Sequence, residues 1–358
     1  MDTDARLTLL NQVGEEVVTP DELRMFLDTH DSFIAYDGFE PSGNPHIAQG
    51  VMRAINVNKV TKAGGRFKML VADWHAWANN KMGGDLEKIK TVGRYLIEVW
   101  KSTGMDLDNV EFVWASEMNK DPEYWKMVMK ISINSTLNRI VRCSQIMGRT
   151  EKDALQASQV LYPCMQAADI FHLRADICQL GMDQRKVNVL AREIAPKLGF
   201  PKPMIISHHM LMGLGQPPAG EISAEEKALA MKMSKSKPDS AIFMTDTAED
   251  IKRKLNKAFC PQKQVLENPV LEYCKYIVFE RFPALEIHRP AKWGGDLRFD
   301  SYNALEAAFE KGEVHPQDLK AATADYIDKL IAPVREHFEK DPTAKKLYEE
   351  VKSYQVTR

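Results

Sequence analysis

Short apolar runs alternate with helix-length patterns through the first two thirds of the chain, and this alternation narrows the folds open to it. Phe33-Ile34-Ala35-Tyr36 reads as a buried strand that stops at a glycine- and proline-rich turn. A helix follows over 46–62, with Ile47, Val51, Ile55 and Val60 on one side. The same reading predicts strands over 67–73, 110–115, 176–180 and 204–207. Between them it predicts helices over 86–100, 123–146, 151–171 and 184–198. Strands separated by helices of this length form βαβ units and a parallel sheet. Right-handed crossovers then give a Rossmann-like, doubly wound α/β layer whose ligands lie at the carboxyl ends of the strands.

After Cys260 the pattern changes. Pro261-Gln262-Lys263-Gln264 and Asn268-Pro269 read as a linker, and helical patterns dominate beyond it, over 270–280, 302–311, 316–336 and 342–352. The expectation is an α/β domain over 1–260 and a mostly helical one over 261–358, as a length of 358 residues suits. The formal net charge of −2 gives no basic field for nucleic acid and does not point to DNA. Any RNA contact rests on local patches: Arg139/Arg142, Arg149 with Lys152, Arg185/Lys186, and Lys252/Arg253/Lys254/Lys257. Each of these also reads as a solvated helix face. No apolar run is long enough for a membrane span. Five cysteines without a CxxC pair, and an acidic start without an apolar signal region, lead us to expect reduced thiols, a cytoplasmic location and no metal site.

Two segments suit a nucleotide. Lys232-Met233-Ser234-Lys235-Ser236 sets two lysines three positions apart, with hydroxyl donors between and after them. A triphosphate would fit such a loop, although a solvated surface loop has the same composition. Asp37-Gly38-Phe39-Glu40-Pro41-Ser42-Gly43-Asn44-Pro45-His46 joins the first strand to its helix. Gly38 and Gly43 permit close backbone approach or a positive φ. His46 falls in the first helical turn, where free amides favour anions; taken alone it reads as a polar cap. The lysine loop is identical to the KMSKS motif of class I aminoacyl-tRNA synthetases. His46-Ile47-Ala48-Gln49 resembles their HIGH motif, with Ala for Gly and Gln for the second His. The resemblance implies that Gly38, Gly43, His46, Gln49, Lys232, Met233, Ser234, Lys235 and Ser236 bind ATP. It gives catalytic roles to His46, Gln49, Lys232 and Lys235. Gln49 cannot titrate, so its part is hydrogen bonding.

Tyr162, Gln166 and Asp169 lie at i, i+4 and i+7 of a largely apolar helix, within roughly 60° of one another. A solvent-facing stripe is the plain alternative. In an apolar helix a buried polar stripe fits better, and buried polar groups need partners that a polar ligand can supply. With Tyr36 and Gln184 in Met182-Asp183-Gln184-Arg185-Lys186, this stripe resembles the tyrosine pocket of tyrosyl-tRNA synthetases of the archaeal and eukaryotic type. The similarity extends to Val71-Ala72-Asp73-Trp74-His75-Ala76 and Trp293-Gly294-Gly295-Asp296. It implies that Tyr36 and Asp169 bind the substrate phenol, that Tyr162, Gln166 and Gln184 hold its α-amino end, and that His75 lines the wall. Phenylalanine would leave the buried Asp169 carboxylate unpaired. Tyrosyl synthetases are themselves the known example of such rejection, on the order of 10⁵.

The resemblance further implies L-tyrosine, ATP with Mg²⁺ and tRNA(Tyr) as substrates, with tyrosyl-adenylate as the intermediate. It assigns Trp293, His315 and Asp318 to the anticodon, although the last two also suit an ordinary helix start. It implies a homodimer, with the helical stretch 123–146 as the interface. The link before the lysine loop, Gln216-Pro217-Pro218-Ala219-Gly220 and a helix-like 223–231, is longer than the family often uses. A tryptophanyl synthetase, a tRNA-independent adenylyltransferase and a non-catalytic RNA-binding descendant remain as alternatives. Asp169 with Tyr36 speaks against the first, and Trp293 and His315 against the second. The intact ATP and pocket residues speak against the third.

Overall fold

The computed structural model describes residues 1–148, 154–218, 220, 230–233 and 237–354. The chain opens with α1 (Thr3–Val13), edge strand β1 (Glu16–Val18) and α2 (Pro20–Thr29). Asp2 and Thr19 cap the two helices with their side-chain oxygens. Arg6 then ties the corner by donating to the carbonyls of Ala63, Leu27 and His30. Nothing over this stretch was expected from the sequence.

The βαβ alternation follows. β2 (Phe33–Phe39) leads through a turn into α3 (Arg53–Lys62) and β3 (Gly65–Val71). α4 (Asp73–Ala78) and α5 (Leu86–Lys101) lead to β4 (Val110–Trp114). Next come α6 (Ala115–Met118), α7 (Pro122–Ile133), α8 (Leu137–Cys143) and α9 (Ala157–His172), then β5 (Ile177–Cys178), α10 (Arg185–Leu198) and β6 (Met204–Ser207). The sheet order is β1-β6-β5-β2-β3-β4, all parallel except β1 against β6. The strand order reverses between β2 and β5, which puts a ligand crevice at their carboxyl ends. The doubly wound α/β expectation therefore holds. One face packs Tyr36 and Leu70 against apolar residues of α7, α8, α9 and α10.

In the α/β part, three helices differ from the expectation. The one predicted over 46–62 begins as a wide π turn, Ala48–Met52, before α3. The turn frees the Gln49 carbonyl, which accepts from the Trp100 indole at 2.8 Å. The stretch predicted over 123–146 breaks at Asn134-Ser135-Thr136, because the Thr136 hydroxyl accepts from the Arg139 amide and caps a new helix. The helix predicted over 151–171 starts at Ala157, where Gln156 and Gln159 form a reciprocal capping box; 151–153 lie outside the described residues.

Beyond the sheet come α11 (Ala248–Lys257), α12 (Pro269–Tyr273), a π turn over Cys274–Val278, and α13 (Phe279–Arg281). A small hairpin of β7 (Leu285–Ile287) and β8 (Leu297–Phe299) follows, then α14 (Tyr302–Lys311), α15 (Pro316–Lys340) and α16 (Pro342–Lys352). One continuous apolar core joins Ile47, Val51 and Tyr95 to Tyr273, Ile327 and Phe338 of this helical part. Neither α11 nor the hairpin was foreseen.

Candidate active site

Tyr36 closes one wall of the crevice. It pairs with Lys68 of β3 and Cys178 of β5, so its place in the sheet is fixed on both sides. Burial, then the charge of Asp169, push its hydroxyl well above the ordinary value, while the Gln166 side chain pulls the other way. Asp169 is buried on α9. One of its oxygens accepts from the Tyr124 hydroxyl at 2.8 Å, and the other lies 3.0 Å from His75 Nε2. Burial pulls the His75 pKa down, but Asp169 outweighs it and the net direction is up. Tyr124 therefore orients one carboxylate oxygen, while the other, like the Tyr36 hydroxyl and despite its closeness to His75, makes no hydrogen bond among the described residues and can take a further donor.

Sequence reasoning missed Tyr124. It sits on α7 with Val128 and Ile131, at the i, i+4 and i+7 positions of the buried face. A tyrosine on such a face must find a partner for its hydroxyl, and that was the available signal.

The other end of the crevice is polar. Gln166 Nε2 donates to Gln184 Oε1 at 3.0 Å, and Gln184 donates to the Ile146 carbonyl at 3.1 Å. Tyr162 stacks edge-on against His75 with ring centroids 5.0 Å apart. Burial, then the Glu40 carboxylate, push the Tyr162 hydroxyl well above its usual range. Glu40 is held in turn by Asn79 Nδ2 at 3.0 Å and by Lys81. Glu40 is a second residue the sequence reading passed over. The structure thus brings Tyr36, His75, Tyr162, Gln166, Asp169 and Gln184 together, with Tyr124 and Glu40 behind them.

The nucleotide motifs flank the mouth of the crevice, one following β2 and the other tied to Asp183, which follows β5. Gly43 takes a positive φ of 107°, whereas Gly38 is an ordinary strand residue of β2. His46 is not inside the helix. It forms an antiparallel bridge with Phe243, and its carbonyl accepts from the Gln49 and Gly50 amides. Gln49 turns its side-chain oxygen back to the His46 amide at 3.3 Å. Lys232 forms an antiparallel bridge with Met212. Its ammonium donates to Asp183 at 2.8 Å. Met233 is buried. Ser234, Lys235, Ser236 and residues 223–229 of the helix-like stretch 223–231 lie outside the described residues. Below the mouth, Arg53 donates to Asp37 at 2.7 Å and to the Gln179 side chain. Burial pushes the Asp37 carboxyl up to about 7 against the pull of Arg53.

In the helical part, the His315 ring accepts from the Gln317 amide at 3.2 Å and caps α15, and Asp318 follows in the first turn. Trp293 is exposed, with the Lys292 ammonium 5.6 Å above its ring. Arg289 donates to the carbonyls of Gly295 and Glu313, which draws the tryptophan loop toward the His315 cap.

The basic patch over 252–257 has internal partners. Lys254 is buried and donates to Asp246 at 2.5 Å. Arg253 and Lys257 pair with Asp239, and Lys252 pairs with Asp325. Arg139 pairs with Glu193 and Arg185 with Glu16. Arg149 and Lys152 lie outside the described residues.

The family model of class I tRNA synthetases (W and Y) matches residues 28–332. A cytoplasmic tyrosine–tRNA ligase of Arabidopsis thaliana is 51% identical, over all of this chain and 90% of that protein. The tyrosyl-tRNA synthetase of Pyrococcus horikoshii, solved with L-tyrosine, superposes with a TM-score of 0.91 at 40% identity, covering 98% of this chain and all of that one. The Leishmania major enzyme, solved with tyrosinol, gives 0.90 at 48% identity; this chain is covered completely but spans only 61% of that chain.

Proposed function

The chain belongs to the class I tRNA synthetases, in their tyrosyl branch, and we propose that it couples L-tyrosine to tRNA(Tyr) at the expense of ATP. In the first step a tyrosine carboxylate oxygen attacks the α-phosphorus. The bond to the β-phosphate breaks, pyrophosphate leaves and tyrosyl-adenylate forms. In the second step the terminal ribose hydroxyl of the tRNA attacks the tyrosyl carbonyl, and AMP leaves. No covalent enzyme intermediate is required, so positioning and charge stabilisation carry the catalysis.

The observation that carries the choice of amino acid is the Tyr36, Tyr124, His75 and Asp169 cluster at one end of the crevice. A buried carboxylate with one oxygen held by Tyr124 and the other accepting no hydrogen bond among the described residues is a ready acceptor for a phenol hydroxyl. Tryptophan offers no hydroxyl to that end. Tyr162, Gln166, Gln184 and Glu40 suit an α-ammonium group, since each presents an oxygen acceptor.

His46, Gln49 and the glycine turn would meet the nucleotide from one side, and Lys232 with Lys235 the leaving pyrophosphate from the other. Mg²⁺ would enter with the triphosphate as part of the substrate. Trp293, His315 and Asp318 would contact the anticodon, the indole by stacking and Asp318 by accepting from a guanine edge. A homodimer through α7 is supported by the exposed apolar side chains of Met129 and Ile133, which lie beside Pro122 and Trp125 on a surface that Lys126 and Lys130 also line.

Exchange of labelled pyrophosphate into ATP, run with each amino acid in turn, tests the reading. Dependence on tyrosine alone is expected, and dependence on tryptophan would overturn it. Charging of tRNA(Tyr) tests the second step.

A further inference from the structure

Lys232 is held from an unexpected direction. Its backbone pairs with Met212, and the Gly213 amide donates to the Met231 carbonyl at 2.7 Å. Met212 is itself fixed by the helical part: its amide donates to the Glu272 carboxylate on α12 at 3.0 Å. The same carboxylate oxygen lies 3.1 Å from His209 Nε2. The next residue of α12, Tyr273, is buried and brings its hydroxyl to 3.9 Å from the Met233 sulfur. Consecutive residues of α12 thus grip both strands of the bridge that carries Lys232. A side chain at Gly213 could not take over this packing, since a Cβ there would meet the Ser240 and Met231 carbonyls at 3.0 and 3.2 Å.

We propose that Glu272 and Tyr273 are positioning residues that set where Lys232 stands during activation of the amino acid. Glu272 acts through the Met212 backbone amide and Tyr273 through the Met233 side chain. The carboxylate matters because a buried amide must keep an acceptor, and Glu272 supplies one from outside the sheet. An acceptor of the same shape would do nearly as well, whereas no acceptor would let the bridge drift. A displacement of about 1 Å at a reacting group costs up to roughly a hundredfold in rate. The proposal rests on the reading that Lys232 contacts the ATP phosphates.

Pyrophosphate exchange without tRNA tests it, with Glu272→Ala, Glu272→Gln, Lys232→Ala and the Lys232→Ala/Glu272→Ala double variant. Thermal unfolding and tyrosine binding by calorimetry are measured on each. Glu272→Ala is expected to lower kcat/KM for ATP about tenfold or more and to leave tyrosine affinity unchanged. Glu272→Gln should recover most of the loss. In the Lys232→Ala background the Glu272→Ala change should cost almost nothing further, because both act through one group. A Glu272→Ala enzyme within twofold of wild type for ATP, an equal loss of tyrosine affinity, or full additivity in the double variant overturns the proposal. An unchanged Lys232→Ala enzyme instead overturns the reading beneath it.

Discussion

At the scale of single residues, the proposed selection of tyrosine would turn on the Asp169 carboxylate and the groups around it. Asp169 could be picked out from the sequence because a polar stripe on an apolar helix is anomalous, whereas Tyr36, on a strand, entered only through the family resemblance. Tyr124 could not, since a tyrosine in an amphipathic helix looks like ordinary core until its hydroxyl is traced to Asp169 at 2.8 Å. Removing that hydroxyl with Tyr124→Phe keeps the ring and its packing but loses a hydrogen bond to a charged group, worth about 1.5–3 kcal/mol. We expect kcat/KM for tyrosine in pyrophosphate exchange to fall about tenfold, with KM for ATP unchanged. Asp169→Asn should cost more and also narrow the preference for tyrosine over phenylalanine, read from the ratio of their kcat/KM values. An unaltered ratio in Asp169→Asn would remove the carboxylate from the specificity argument.

Among the elements, the parallel strands were legible because apolar runs bounded by turn residues have few other readings. The helix boundaries were less so. Asn134-Ser135-Thr136 interrupts a continuous helical pattern only because Thr136 prefers capping to continuing, a choice the apolar period does not register. The π turn at Ala48–Met52 depends on a contact far away in sequence. Gly50 lies against Met244, and a Cβ there would come within 2.3 Å of its sulfur. The chain over 242–244 pairs with 45–47, so this contact also seats His46. Gly50→Ala should therefore destabilise the fold by about 1–3 kcal/mol through overpacking, measured as a lower urea midpoint. It should also raise KM for ATP, because the His46 carbonyl accepts from the amide of residue 50. The N-terminal elements left no comparable trace, since β1 is a strand of only three residues.

For the molecule as a whole, two surfaces extend the argument beyond the crevice. Met129 and Ile133 on α7 are 57% and 77% exposed, which is unusual for large apolar side chains on a well-formed helix. If this face joins two copies, Ile133→Lys should shift sedimentation from dimer to monomer without lowering the thermal midpoint of the subunit. The second surface is internal. His209 lies where the N-terminal segment, the end of the sheet and the helical part meet, stacked on Tyr276 with centroids 4.3 Å apart. Glu15 lies 3.2 Å and Glu272 3.1 Å from its ring nitrogens, and the Lys59–Glu280 pair stands across a cavity of about 110 Å³. Burial pulls the His209 pKa down, but the two carboxylates outweigh it and raise it above the ordinary 6.5. A folded-state pKa above the unfolded one means that the folded chain holds the proton more tightly. The resulting stabilisation is complete below the unfolded value and is lost as pH rises through the folded one. Unfolding free energies of the wild type and of His209→Gln, measured in urea from about pH 6 to about pH 9, should therefore converge as pH increases. A gap between them that stayed constant across that range would mean that His209 contributes through packing on Tyr276 rather than through its charge.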